Sequence, residues 1–328
     1  MLICGELAED KITTVTKELT NTGRRLSDDL NQPLSLLLIG QNIQETAAEA
    51  ISFGADRVFY IAEGLPFAES LPEHYVAIIA SVFNQIKPSI VLLSHTDMGR
   101  DIAPRLAASL GTTVCMDCIE LEIDADSKSL LQTKPVYGGN AMAVWVSVNY
   151  RPHVVTMRPR SASPAQSDPS RKGQIVPITV EIDESTIKGK LLETVKEEAK
   201  GIKLEEAKVI VAGGGGIGGS EGFQLIQELA QVLGGTIGIT RVPCDEGWMP
   251  TSLEIGQTGH IVSPDLYFAI GISGAPQHLA GCSGSKCIVA INKDPEAHIF
   301  KEADFGIVGD YREVLPILIE KCKALRAT

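Results

Sequence analysis

Six of the seven residues from Gly213 to Gly219 are glycine, lying between an apolar run, Ala207 to Ala212, and a helical pattern that starts at about Ser220. A strand that turns through glycines into a helix is suited to holding a phosphate. Residues without Cβ let the backbone approach a pyrophosphate, and the unpaired N–H groups and positive dipole end of the helix face the anion. Gly213, Gly215 and Gly218 satisfy G-x-G-x-x-G in the strand-to-helix setting of the dinucleotide fingerprint, although a run of glycines can meet that spacing by chance. The bland reading is a glycine-rich turn. The fingerprint also expects an acidic residue about 20 positions on, to hold a ribose hydroxyl. Here the second strand, Thr236 to Thr240, ends in Arg241 instead. A cation there suits a 2′-phosphate, which is an NADP reading, or negative charge developing on the cofactor itself, which is a flavin reading.

Three more segments fall where strands end, the place where open parallel sheets bind ligands. They are Ile255–Gly259 (IGQTG), Ile272–Leu279 (ISGAPQHL) and Ile291–Pro295 (INKDP). Together they offer small residues for close approach, hydroxyls, amides, one histidine and one lysine, a set that suits a large polyvalent cofactor. They contain no paired carboxylates, no cluster of metal ligands and no Ser, His and Asp order that would point to hydrolysis. Each segment alone reads as a tight turn; four loops at successive strand ends favour a site.

These loops need a scaffold. Residues 34–94 alternate apolar runs with helical patterns: PLSLLLIG, a helix to about Gly54, RVFYIA, a helix around Glu73 to Gln85, and PSIVLLS. Gly99–Leu110 continues as an amphipathic helix with Ile102, Leu106 and Leu110 on one face. Strands are expected at Thr113–Ile123, Ala141–Val148 and His153–Met157, then a surface loop at Arg158–Gly173, a returning strand at Ile175–Ile182 and a charged helical linker at Glu193–Glu206. A second alternating series has strands at Lys208–Ala212, Thr236–Thr240, Leu266–Ile272, Lys286–Ile291 and Phe305–Val308. The expectation is an α/β protein of two parallel-sheet domains, 1–203 and 204–328, the second Rossmann-like.

Bulk properties narrow the classes. The chain has 328 residues, 44% hydrophobic and 21% charged, which is ordinary for a globular protein long enough for two cores. Its longest apolar runs, such as Leu34–Ile39 and Ile90–Leu93, fall far short of the ~20 residues that span a bilayer. The N-terminus, MLICGELAEDK, lacks the basic start and long apolar stretch of a secretory signal. A net charge of −12 argues against nucleic acid as a partner. Seven scattered cysteines read as reduced thiols, and a cytoplasmic location is expected. Cys115 and Cys118 form a single C-x-x-C. Simple alternation along a strand would place their side chains on opposite faces, against a metal or disulfide role.

The run Gly247–Asp310, GWMPTSLEIGQTGHIVSPDLYFAIGISGAPQHLAGCSGSKCIVAINKDPEAHIFKEADFGIVGD, resembles the C-terminal domain of the electron transfer flavoprotein alpha subunit almost residue by residue. The resemblance continues more weakly through HTDMGRDIAPRLAASL at His95–Leu110 and KPVYGGNAMAVW at Lys134–Trp145. It implies FAD held mainly by the second domain and pairing with a beta subunit. Electrons would arrive from a dehydrogenase of the acyl-CoA dehydrogenase type. The resemblance puts Arg241 against the isoalloxazine ring, Gln257 and Thr258 toward its N5 and O4, and His278 toward its O2, with Ile255 and Gly256 in the same loop. Ser273, Gly274, Ala275, Pro276 and Gln277 would form the binding turn, while Asn292, Asp310 and Tyr311 would hold the adenosine end. Thr240 stands where the family commonly has Ser. Gly215 departs further, since the family usually carries an Arg inside this loop. Two alternatives stay open: an NADP-dependent oxidoreductase, and the alpha subunit of an electron-bifurcating, NADH-dependent complex.

Overall fold

A computed structural model of the chain describes residues 1–8, 10–40, 43–61, 71–139, 141–180, 182, 187–190, 192–193 and 203–326. The chain divides into two compact units, one of Met1–Pro135 and Met142–Val195, the other of Val136–Ala141 and Lys196–Thr328.

From the N-terminus the elements are β1 (Leu2–Gly5), β2 (Leu7–Ala8), β3 (Lys11–Ile12), α1 (Thr14–Asp29), β4 (Ser35–Leu38), α2 (Gln44–Ser52), β5 (Arg57–Ile61) and α3 (Pro72–Ile86). Next come β6 (Ile90–Ser94), α4 (Asp97–Ser109), β7 (Val114–Cys118), β8 (Glu120–Ile123), β9 (Leu130–Val136), β10 (Ala141–Val146), β11 (His153–Met157) and β12 (Gln174–Ile178). Seven strands form a parallel sheet in the order β12-β5-β4-β1-β6-β11-β7. Successive residues of the central strands feed opposite cores. Leu36, Leu38 and Val58 pack with Leu19 and Leu26 of α1, whereas Leu37 and Phe59 pack with Ile78 of α3 and Ile102 of α4. A sheet buried on both faces takes near-continuous apolar strands, which is why SLLL and IVLLS were legible.

Two features of this unit depart from the sequence reading. The central strand β1 and helix α1 carried no clear signal. Beside Leu19 and Leu26 the buried positions of α1 are Thr16, Glu18, Thr20, Thr22, Gly23 and Ser27, so few apolar residues mark its inward face. The expected single strand Thr113–Ile123 is two strands in different sheets, β7 in the parallel sheet and β8 antiparallel to β9 in a three-stranded one. The two strands part at Ile119, and Asp117, two residues earlier inside β7, has a left-handed φ of 63°. Val155 of β11 faces Cys115 and Met157 faces Cys118, so β7 fits an extra residue into the ladder. That bulge corrects the opposite-face expectation: the sulfurs of Cys115 and Cys118 lie 3.5 Å apart. Most of the expected linker at 193–206 lies outside the described residues; Leu204–Glu206 is a single 3-10 turn.

The second unit contains β13 (Val209–Gly213), α5 (Phe223–Leu233), β14 (Thr236–Ile239), α6 (Arg241–Asp245), β15 (Leu266–Ile270), α7 (Pro276–Cys282), β16 (Ile288–Asn292), α8 (Ile299–Glu302), β17 (Phe305–Val308) and α9 (Tyr311–Arg326). Its five strands are parallel in the order β14-β13-β15-β16-β17, each within about two residues of its expected bounds. Ile210, Ala212, Tyr267 and Ala269 fill one core; Val211, Phe268 and Ile270 fill the other with Ile226, Leu229, Leu315 and Ile319 from α5 and α9. The helix expected from Ser220 begins at Phe223, after a 3-10 turn at Ser220–Gly222. Because β14 lies on one side of β13 and β15 on the other, the chain reverses its winding direction at the carboxyl end of β13. The fold is α/β, with two parallel-sheet units as expected.

Candidate functional site

A cavity of about 410 Å³ opens at that reversal, lined by the loops that leave β13, β14 and β15. The glycine loop forms one wall. Gly214 N–H donates to the Ile270 carbonyl and Gly216 N–H to the Gly271 carbonyl, each at 2.9 Å. A Cβ on Gly214 would overlap the Gly271 oxygen, and one on Gly216 would sit 2.8 Å from it. These two glycines therefore let the loop lie against the backbone of the neighbouring strand. Gly215 differs: the nearest atom to a Cβ there is Val242 Cγ1 at 3.2 Å, a side chain with some freedom to shift.

Gly215, Thr240, Arg241, Ile255, Gly256, Gln257, Thr258, Ser273, Ala275, Gln277 and His278 all line this one cavity. Gly274 and Pro276 shape the turn instead. Gly274 has φ +84° and a Cβ there would overlap the Ile299 N–H group, while Pro276 is the first residue of α7, where a missing N–H costs nothing. Asn292, Asp310 and Tyr311 line a second, smaller cleft that shares Gly216 and Gly271 with the cavity.

Several of these side chains are already engaged. Arg241 Nε reaches both carboxylate oxygens of Asp245 at 3.2 Å, one helical turn on, and its side chain is 62% exposed. The Asp245 carboxylate holds this guanidinium still more firmly protonated than usual. Thr258 Oγ1 donates to Glu254 Oε1 at 2.7 Å. His278 is buried, and burial pushes its pKa down to about 4, so it is neutral near pH 7. Its Nδ1 lies 2.9 Å from the Ile255 carbonyl, which only accepts, so that nitrogen carries the proton. Nε2 is then an acceptor, and the Tyr267 hydroxyl donates to it at 3.0 Å. Both ring nitrogens of His278 are therefore engaged within the protein.

The smaller cleft is likewise braced from within. Asn292 Nδ2 donates to the Ile272 carbonyl at 2.9 Å, tying the end of β16 to the loop after β15. Tyr311 is buried and donates to the Ile217 carbonyl at 2.9 Å, propping the glycine loop from behind. Asp310 Oδ1 accepts from Arg312 N–H at 2.9 Å and caps α9.

The sequence reading missed Glu254, a carboxylate only 6% exposed that lines the main cavity, and Arg312, which lines the cleft beside Lys293. Arg312 stands two residues after Asp310 and was open to notice. Glu254 and Tyr267 carried no signal, because a lone carboxylate and a strand tyrosine acquire a role only through what folds against them.

Comparison with known proteins agrees with this geometry. Residues 1–183 match the electron transfer flavoprotein domain, and residues 203–283 match the electron transfer flavoprotein FAD-binding domain. The chain is 43% identical over 324 residues to the electron transfer flavoprotein subunit alpha of Thermoanaerobacterium thermosaccharolyticum, covering 99% of this chain and 98% of that protein. It is 43% identical over 326 residues to the protein of the same name from Bacillus subtilis, again covering 99% and 98%. Protein FixB of Clostridium saccharobutylicum is 38% identical over 323 residues, covering 98% and 96%. The cofactor is accordingly FAD and the NADP reading is not favoured; with matches of this kind along nearly its whole length, the chain belongs to the electron transfer flavoprotein family, as an alpha subunit that serves as an FAD-dependent electron carrier.

Proposed function

We propose that the chain works as half of a heterodimer with an electron transfer flavoprotein beta subunit, in the cytoplasm. It takes electrons from a dehydrogenase of the acyl-CoA dehydrogenase type and passes them to a downstream acceptor. The observation that carries this reading is the convergence of four separate loops on one cavity of about 410 Å³ at the sheet's reversal point. The residues there fit the cofactor. Gly215 and Gly216 give a wall of bare backbone, Lys293 and Arg312 supply positive charge at the adjoining cleft, and Gln257, Gln277, Ser273 and Thr240 offer hydrogen-bonding groups. When bound, FAD supplies an isoalloxazine ring that takes up and releases electrons one or two at a time.

The protein's own groups would tune and orient it. Arg241 is the cation at the main cavity and favours negative charge on whatever lies beside it, moderated by Asp245. Neutral His278, fixed between Tyr267 and Ile255, holds the Ile255–Gly256 backbone in position rather than donating a proton. Asn292 and Asp310 face the smaller cleft, where the adenosine end would lie.

Exposed apolar surface supports a partner. Along β10, Met142, Val144 and Trp145 are 58%, 59% and 56% exposed, with Val148 and Tyr150 just beyond, and such surfaces mark interfaces. All seven cysteines are free, which suits a reducing compartment. Co-expression with a beta subunit, size-exclusion chromatography and a flavin count test the reading. A yellow heterodimer is expected. A stable, FAD-saturated monomer, or a colourless protein that binds NADP, would overturn it.

A further inference from the structure

The C-x-x-C of β7 is not used by the flavin site, and the fold makes it chemically competent. The bulge at Asp117 turns Cys115 and Cys118 to the same side, where Cys118 Sγ lies 3.5 Å from Cys115 Sγ and is placed to donate to it. The pair is asymmetric in access: Cys115 is half-buried and Cys118 fully buried. The cluster sits at the carboxyl ends of three adjacent parallel strands, β6, β11 and β7. Asp117, inside the C-x-x-C loop, accepts two hydrogen bonds of 2.8 Å from the guanidinium of Arg158, which comes directly after β11. His95, directly after β6, lies 4.0 Å from the same carboxylate and bonds Thr156 at 2.8 Å. Lys134 of β9 adds positive charge. The Cys118 thiol, and after it the Lys134 charge, hold the Cys115 thiol below its ordinary range, while burial and Asp117 work against them. Hydrogen bonding to Cys115 and burial push Cys118 up.

We propose that Cys115 and Cys118 are a redox-active dithiol, with Cys115 the sulfur that reacts with a hydroperoxide and Cys118 the one that resolves it. The Cys115 thiolate attacks the peroxide, breaking its O–O bond and releasing water, or an alcohol from an organic hydroperoxide, and becomes a sulfenic acid. Cys118 sulfur then displaces that hydroxyl as water and the S–S bond forms. The two thiols lose two electrons and two protons in total, and the peroxide takes up both. A half-buried attacking sulfur beside a fully buried resolving one is the arrangement this sequence of steps needs.

The test uses the full-length chain, purified reduced with any partner that accompanies it and titrated with hydrogen peroxide. Remaining thiols are trapped with N-ethylmaleimide in denaturant and read by peptide mass spectrometry. The peptide carrying Cys115 and Cys118 is expected to lose both labels together and two hydrogens in mass, reversibly with dithiothreitol, before the half-buried Cys244, Cys287 and Cys322 lose theirs. In Cys118→Ser, Cys115 is expected to accumulate as a sulfenic acid that dimedone traps; in Cys115→Ser, Cys118 is not trapped. Loss of label at Cys244, Cys287 or Cys322 at lower peroxide than at the pair would overturn the proposal. So would equal dimedone trapping of Cys118 in Cys115→Ser. The wild-type titration decides without any variant having to fold.

Discussion

The two units share a plan: a parallel sheet whose first strand is flanked by strands reached in opposite directions, with a space at its carboxyl end. They differ in the residues that leave that strand. In the second unit β13 ends in Gly213 and continues through bare backbone, Gly214 to Gly216, and the space is a cavity of about 410 Å³. In the first unit β1 ends in Gly5 and the next residue is Glu6, whose side chain lines a space of only about 70 Å³. The Glu6 carboxylate accepts from Thr96 Oγ1 at 2.6 Å, at the start of α4, and its N–H donates to Thr16 Oγ1 at 2.7 Å. There the chain supplies its own anion where the second unit leaves room for one. The same topology thus offers a site only where the residues after the strand leave it open.

The most damaging way to break this comparison is Gly214→Ala. The new Cβ would overlap a backbone oxygen that cannot move aside, so a cost at or above the upper end of the usual ~1–3 kcal/mol for overpacking is expected, with loss of bound flavin. Gly5→Ala is tight only against the Leu38 and Thr16 methyl groups, with Leu38 Cδ2 at 2.8 Å and the Leu37 carbonyl at an ordinary 3.5 Å, and is expected to cost about 1 kcal/mol. Urea unfolding and flavin absorbance measure both; an equal effect of the two would remove the distinction.

Acid separates the units next. Burial lowers His278 from 6.5 to about 4, so the unfolded chain takes up this proton first and stability falls as pH drops from 6.5 to 4. At ~1.36 kcal/mol per unit the loss is on the order of 3 kcal/mol as an upper figure, and His278→Gln should flatten it. His95 and His153 of the first unit, both lowered to about 4, act in the same sense. Glu18 opposes them there. Burial raises it to about 7 although the Arg160 N–H donates to it, so its contribution is present below 4.5 and lost as pH rises through 7. Glu18→Gln should therefore steepen the acid loss of the first unit. Unfolding scans from pH 7 to 4 provide the check, and an unchanged slope in either variant contradicts the assignment.

Gly215→Arg sharpens the comparison by adding a cation to the open loop. Val242 must yield by a few tenths of an ångström, and flavin retention should then tighten by about 1–3 kcal/mol for a charge-assisted hydrogen bond, read by equilibrium dialysis. Weaker retention would mean that bare backbone is itself the requirement. The smallest expected effects are on potential. Arg241→Ala should lower the flavin's reduction potential and Asp245→Asn raise it, both modestly because the pair is exposed. Spectroelectrochemical titration at full FAD content reads both, and shifts of the same sign would remove Arg241 from the cofactor's surroundings.

The amino-acid order alone determined most of the second unit. Its five strands are short apolar runs, four of them ended by Gly or Asn and β14 by Thr240, and the candidate loops sit at those ends, so period and punctuation located them together. Fewer features of the first unit were open to reading. Helix α1 buries threonines and a glutamate beside only two leucines, so few apolar residues marked it. Tertiary structure alone decided three things. The bulge at Asp117 reverses the face of Cys118, because one extra residue in a ladder of period two changes every side after it. Folding also takes the donors of His278 and Thr258 for Ile255 and Glu254, since buried polar groups must be satisfied by whatever packs against them. Finally, it makes Gly214 and Gly216 obligatory through contact with Gly271, some fifty-five residues away in sequence, a distance at which no local pattern can report.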